Sequence, residues 1–158
     1  MGAINNAFNQ AAGTVAGAAL AIKHAKETEE SKMNTADSTA IIARNQARAA
    51  NDEANAANSE AAKKGGLYEQ LADAEVNREE AEKAFNKAVK RKNGSPRTRG
   101  KKFTELDAAN KAVDELNKKY QALENINKRA EEQIRYASKA TEMAIKAKQK
   151  YEKHWGGK

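Results

Sequence analysis

Apolar side chains recur along this chain at alternating steps of three and four. That spacing stacks side chains on one face of an α-helix and, when sustained, builds a heptad seam. The longest run lies between Phe103 and Tyr151, where Leu106, Ala109, Val113, Leu116, Tyr120, Leu123, Ala130, Ile134, Ala137, Ala144 and Tyr151 keep the period. Six acid-to-base pairs at i,i+4 accompany it, namely Asp107/Lys111, Asp114/Lys118, Glu115/Lys119, Glu124/Lys128, Glu131/Arg135 and Glu142/Lys146. Each such pair adds a few tenths of a kcal/mol to a helix. Phe103-Thr104-Glu105-Leu106-Asp107 reads as the start, with a Thr N-cap and an acid at N3. Lys146, Lys148, Lys150 and Lys153, followed by Gly156-Gly157, read as the end. Asn127, Thr141 and Lys148 are polar at seam positions and are expected to fix register.

A second seam is almost purely alanine: Met33, Ala36, Ala40, Ala43, Ala47, Ala50, Ala54, Ala57 and Ala61, flanked by Asn45, Asn51, Asn55 and Asn58. Small residues at both seam positions let two helix axes approach closely. Gly65-Gly66 interrupts it, and a kink is expected there. Leu67, Leu71, Ala74, Ala81, Phe85 and Ala88 then resume the period, with Arg78 at the intervening position. Asn93-Gly94-Ser95-Pro96 ends the segment. A loop over 93–102 makes the flanking helices antiparallel. Folding about residue 97 or 98 sets Leu67–Ala88 against Leu106–Asn127, and the alanine helix from about residue 40 against Ala130–Tyr151.

The pattern thus predicts an all-α protein, an elongated antiparallel helical hairpin or coiled coil with an additional N-terminal Ala/Gly-rich helix. Its expected parts are an N-terminal helix over 1–30, an alanine-heptad helix over 31–92 kinked at 65–66, a basic loop over 93–102 and a long helix over 103–155.

Composition sharpens this. The hydrophobic fraction is 39%, but alanine accounts for 34 residues and aromatics for only 5%. At about 25 cal/mol per Å² of apolar surface, alanine cannot assemble a thick core, though it can build thin helix-on-helix seams. Several seams must share the load, so a homo-oligomer is expected. The absence of cysteine excludes disulfides and thiolate metal sites and fits a reducing cytoplasm. No apolar run of 18 residues and no signal-peptide pattern occurs.

Residues 1–22 carry no charge, in a chain that is 32% charged. Ile4, Phe8, Ala11, Val15, Ala18, Ile22 and Ala25 keep the three-four spacing beside Gly13-x-x-x-Gly17, so a helix here offers a smooth face. Ala11–Ile22 would span about 18 Å, short of the roughly 30 Å hydrocarbon core. Phe8, Gly13, Val15, Gly17 and Ile22 are therefore candidates for helix packing, with conditional entry into a membrane as the second reading.

The net charge is +7, and residues 67–102 alone carry +4. Lys90, Arg91, Lys92, Arg97, Arg99, Lys101 and Lys102 supply seven positives with no acid between them. They are the candidate polyanion site, suited to sequence-independent contact with DNA phosphates or with an anionic protein surface. No aromatic interleaves them to stack on bases. A solvated turn accounts for the same residues equally well. Chemistry finds no footing: His24 and His154 lie 130 positions apart, cysteine is missing, and there is neither a Gly-rich phosphate loop nor a Glu-x-x-His pair. No catalytic, cofactor or metal residue is assigned, and the protein is not expected to be an enzyme. Trp155, the sole tryptophan, is expected to anchor the C-terminus on a neighbouring subunit.

The uncharged stretch Gly2–Ile22, with Gly13-Thr14-Val15-Ala16-Gly17, and the Asn/Ala run Asn45–Ala62 resemble, in composition, the small internal core or ejection proteins of short-tailed bacteriophages. The resemblance covers about the first 60 residues and contains no diagnostic motif. It implies a structural virion protein, made in the host cytoplasm and packaged as a ring near the portal beside other virion proteins. Such a protein leaves with the DNA and helps to form a conduit across the envelope. The basic cluster has no counterpart in the resemblance. The alternative is a free cytoplasmic coiled-coil module that binds nucleic acid or bridges proteins through its basic loop.

Overall fold

A sequence rich in Ala, Lys, Glu and Gln, without glycine or proline between Gly17 and Gly65, has nothing to stop a helix once it is nucleated. In the computed structural model, which describes residues 2–91 and 94–156 and their side chains from Ala16 onward, that stretch is a single helix. Three helices follow one another, α1 (Gly2–Ala62), α2 (Leu67–Lys90) and α3 (Pro96–Trp155), and no strand occurs among the described residues. The chain is all-α. The expected boundary near residue 30 is absent because no residue there breaks helical hydrogen bonding.

The glycine pair is a break in the helix, and not a kink within one. Gly65 takes φ +76°, a left-handed conformation that costs glycine little. Gly66 is required for a different reason: a Cβ there would sit 2.6 Å from the Glu60 carbonyl oxygen and 2.7 Å from that of Ala61. Gly66 also N-caps α2 without a side chain. Glu69 compensates, its carboxylate accepting the N–H of Gly65, the residue before the cap, at 2.8 Å.

α3 begins at Pro96, seven residues earlier than the predicted start at 103. Proline at the first helical position loses no hydrogen bond, and Ser95 caps it, its Oγ accepting the Thr98 N–H at 3.1 Å. Thr104, the expected cap, lies inside the helix and donates its hydroxyl to the Gly100 carbonyl at 3.0 Å. At the other end Gly156 donates its N–H to the Glu152 carbonyl at 2.9 Å.

By contacts the chain divides into a first unit, Met1–Ala47 with Gln133–Lys158, and a second, Arg48–Glu132. In the second, α1 and α2 run antiparallel to α3. Tyr68 meets Tyr120 edge-on at 6.3 Å between ring centroids, and Phe85 meets Phe103 at 5.9 Å. Both pairs share residue 94 as midpoint, so the hairpin turns there and not at 97 or 98, the shift being a direct result of the early start of α3. Val113 is 2% exposed, and Leu123, Ala54, Ala61, Ala74, Ala88 and Ala130 are buried along the same unit. Asn58 and Asn127 exchange two side-chain hydrogen bonds, of 2.8 and 3.2 Å, in a part-buried position.

In the first unit the buried contact between α1 and α3 is made of alanine. Ala40, Ala43, Ala47, Ala137 and Ala140 form the buried cluster, with Ala144 packed against it. Every member of the predicted seam from Met33 to Ala61 is buried or half-buried. Ile134 departs from expectation: it is 45% exposed while Gln133 turns inward. A straight helix drifts against a strict seven-residue repeat, and by Gln133 the seam has moved one position. Of the six i,i+4 pairs, Asp107/Lys111 closes at 2.9 Å. The other five stay open, as solvated pairs gain little by holding two long side chains still.

The Asn58/Asn127 exchange yields a stability prediction. Asn127→Leu leaves the Asn58 amide unpaired and is expected to cost about 1–3 kcal/mol, whereas Asn58→Leu with Asn127→Leu recovers that loss or more. Thermal melts followed by circular dichroism measure both. A double variant as unstable as the single one contradicts a reciprocal pair.

Candidate functional site

The basic cluster is the first candidate, and the structure changes its form. Lys90 ends α2, Arg91 follows it, and Lys92 lies outside the described residues. Arg97, Arg99, Lys101 and Lys102 do not lie in a loop but occupy the first two turns of α3, which has no acid in its first turn. Cations at a helix N-terminus oppose the macrodipole, so their placement there adds nothing to stability. Two are tied down. The Arg99 Nη2 donates to the Gly94 carbonyl at 2.9 Å, and Lys102 pairs with Glu105 at 3.2 Å. Arg91, Arg97 and Lys101 are exposed.

The structure adds two residues that the cluster, read along the sequence, leaves out. Lys83 and Lys87 join Lys90 and Arg91 around a shallow groove of about 530 Å³ that also contains Asn86 and no acid. Their spacing of i, i+4, i+7 and i+8 is a helical row, and a wheel drawn on α2 would have found it. The result is a cationic flank leading to the helix turn, with side chains able to reach phosphate oxygens and no aromatic ring among them to stack on a base.

The second candidate is the N-terminal part of α1. From Ala16 to Thr28 every side chain is exposed, Leu20 at 55% and Ile22 at 58%. A Cβ on Gly17 would meet nothing within 4 Å. The face around Gly17 thus has no partner among the described residues. Phe8, Gly13 and Val15 fall within the helical backbone of α1, and their side chains lie outside the described residues. No helix among the described residues is long and apolar enough to cross a membrane.

Just beyond that segment sits a clasp that the sequence pattern misplaces. Trp155, expected to anchor the C-terminus on a neighbouring subunit, contacts α1 of its own chain: its Nε1–H donates to Glu29 Oε2 at 2.8 Å. The His154 Nδ1 lies 3.0 and 3.1 Å from the two Glu29 oxygens and, facing a carboxylate, donates. These contacts hold the Glu29 carboxyl below its ordinary value, the His154 hydrogen bond first, with partial burial opposing and Trp155 adding to the effect. No sequence signal marks the partnership, because 125 positions separate Glu29 from His154. Among the described residues no group of three or more His, Cys, Asp or Glu could hold a metal ion.

A carboxyl lowered in the folded state contributes stability above its ordinary pKa and loses that contribution as pH falls through the lowered value. The fluorescence of Trp155 is expected to shift red below about pH 4.5, the ordinary value of the group, and Glu29→Ala is expected to show the shifted emission already at neutral pH. Identical emission from the two proteins at neutral pH contradicts the clasp.

No family model, no curated protein and no solved structure matches this chain.

Proposed function

We propose that the protein is a structural component of a bacteriophage particle, working through helix packing and without catalysis. In this reading it is packaged as an oligomer near the portal, beside other virion proteins, and is released with the DNA. The supporting observation is α1 itself, which continues N-terminal to the Glu29 clasp as a helix with no charged residue before Lys23, exposed at every described side chain from Ala16 to Thr28. A helix that exposes Leu20, Gly17 and Ile22 with no partner among the described residues is built to meet something else. Other helices serve in the resting assembly, and lipid serves after release. Mass spectrometry of purified particles tests the reading, since a virion component is present there in fixed copy number; its absence sinks it.

The membrane part has its own test. Full-length protein is expected to release dye from anionic liposomes, and a chain starting at Glu27 to release none. Equal leakage, or none from either, leaves the segment as a packing helix only.

A cytoplasmic module that contacts nucleic acid through the cationic flank is the second reading, and the groove lined by Lys83, Lys87, Lys90 and Arg91 favours it. Both readings share one expectation, binding to duplex DNA without sequence preference. The log–log salt slope should be no steeper than about −6, from about 0.9 per contact and seven contacts. Replacing Arg97, Arg99, Lys101 and Lys102 by Ser should flatten that slope and leave helicity unchanged. If the variant binds as before, the α3 cations are a solvated helix start.

A further inference from the structure

In the first unit the apolar residues are in inverted order of size. The α1/α3 seam holds alanines at 1–7% exposure, while Ile41 and Ile145 stand outside it at 45% and 51%. A lone helix pair buries its large side chains and leaves the small ones at the margin, so this ordering points to a second layer. Ile145 borders a groove of about 350 Å³, with Ala40 and Ala144 at its floor and Asp37, Arg44 and Lys148 on its rim; Ile41 lies next to Asp37 and Arg44 on the surface of α1.

Charge identifies what covers it. Asp37, Ile41 and Arg44 form one row on α1, at i, i+4 and i+7, in the order acid, isoleucine, base. Turned half a revolution about an axis through Ile41, the row becomes its own complement. Asp37 then faces Arg44 of the copy, Arg44 faces Asp37 of the copy, and Ile41 faces Ile41. A parallel arrangement would instead set acid against acid and base against base. With Ala40 and Ala144 side by side in the groove floor, the same axis crosses α3 between Thr141 and Ile145 and brings Ile145 opposite Thr141 of the copy. Apolar and uncharged groups therefore occupy the centre, and opposite charges flank it.

We propose that this face is an isologous docking surface for a second copy of the chain, with the two α1 helices antiparallel and Ile41 on the two-fold axis. The pairing gives each Asp37 a cation and each Ile41 an apolar cover that the single chain lacks. It deepens the oligomeric part of the function proposed above. Its test is independent, because the particle and DNA experiments can succeed or fail whatever the charge pattern at Asp37 and Arg44 does.

Sedimentation velocity of the full-length protein across micromolar concentrations provides the readout. Wild type is expected to associate. Asp37→Arg and Arg44→Asp, each alone, set like charges opposite and are expected to raise the dissociation constant at least about tenfold. Both residues are exposed, so circular dichroism should show unchanged helicity. An equimolar mixture of the two single variants restores both opposite-charge contacts and should associate to within about threefold of wild type. Wild type that stays monomeric, single variants that associate as wild type does, or a mixture no tighter than its components would each overturn the proposal.

Discussion

The close approach of α1 and α3 through alanine is the constraint on which the rest depends. An alanine seam needs the two helices to keep their register over several turns, because each contact removes little surface from water and none acts as an anchor. Ala40, Ala43, Ala47, Ala137 and Ala140 satisfy that condition at near-complete burial. The cost is a thin core. With the inside of the first unit filled by methyl groups, Ile41, Ile42, Tyr136, Met143 and Ile145 have no place but the outside, and all are about half exposed or more. The apolar groups that would stabilise a globular core are thus displayed on its faces, where other helices can reach them.

The second unit solves the same problem with larger residues. Aromatic pairs stack across the antiparallel helices, Val113 is enclosed, and the Asn58/Asn127 exchange sets one register among those a repetitive seam would accept. The break at residues 63–66 belongs to this scheme. Asn58/Asn127 and Tyr68/Tyr120 differ by three positions in their pairing sums, so the interruption lets α2 take up a new register on α3 after α1 ends. Continuous helix could not make that adjustment.

Periodicity reveals the seams because burial follows three-four spacing almost one residue to one. It does not reveal features set by single local contacts. Pro96 reads as a stop signal, yet with Ser95 as cap the same residue starts α3, and the whole hairpin turn moves to residue 94 with it. Ile134 escapes the pattern because a strict heptad and a straight helix diverge over ten turns. The clasp joins residues at opposite ends of the chain, and no spacing rule links them. The candidate site is legible as charge and not as shape: the run from Lys90 to Lys102 stands out in sequence, whereas Lys83 and Lys87 become part of it only on the surface of α2. The N-terminal stretch is visible in the sequence as an absence of charge, and the fold adds the exposure of its described part, Ala16 to Ile22.

We infer that seams this thin in alanine are stabilised by sharing faces between copies. Thermal unfolding followed by circular dichroism over an about hundredfold range of protein concentration tests this, since stability that includes association rises with concentration by mass action. The midpoint is expected to climb steadily with concentration. A fully helical protein whose midpoint is the same at both ends of the range would contradict it.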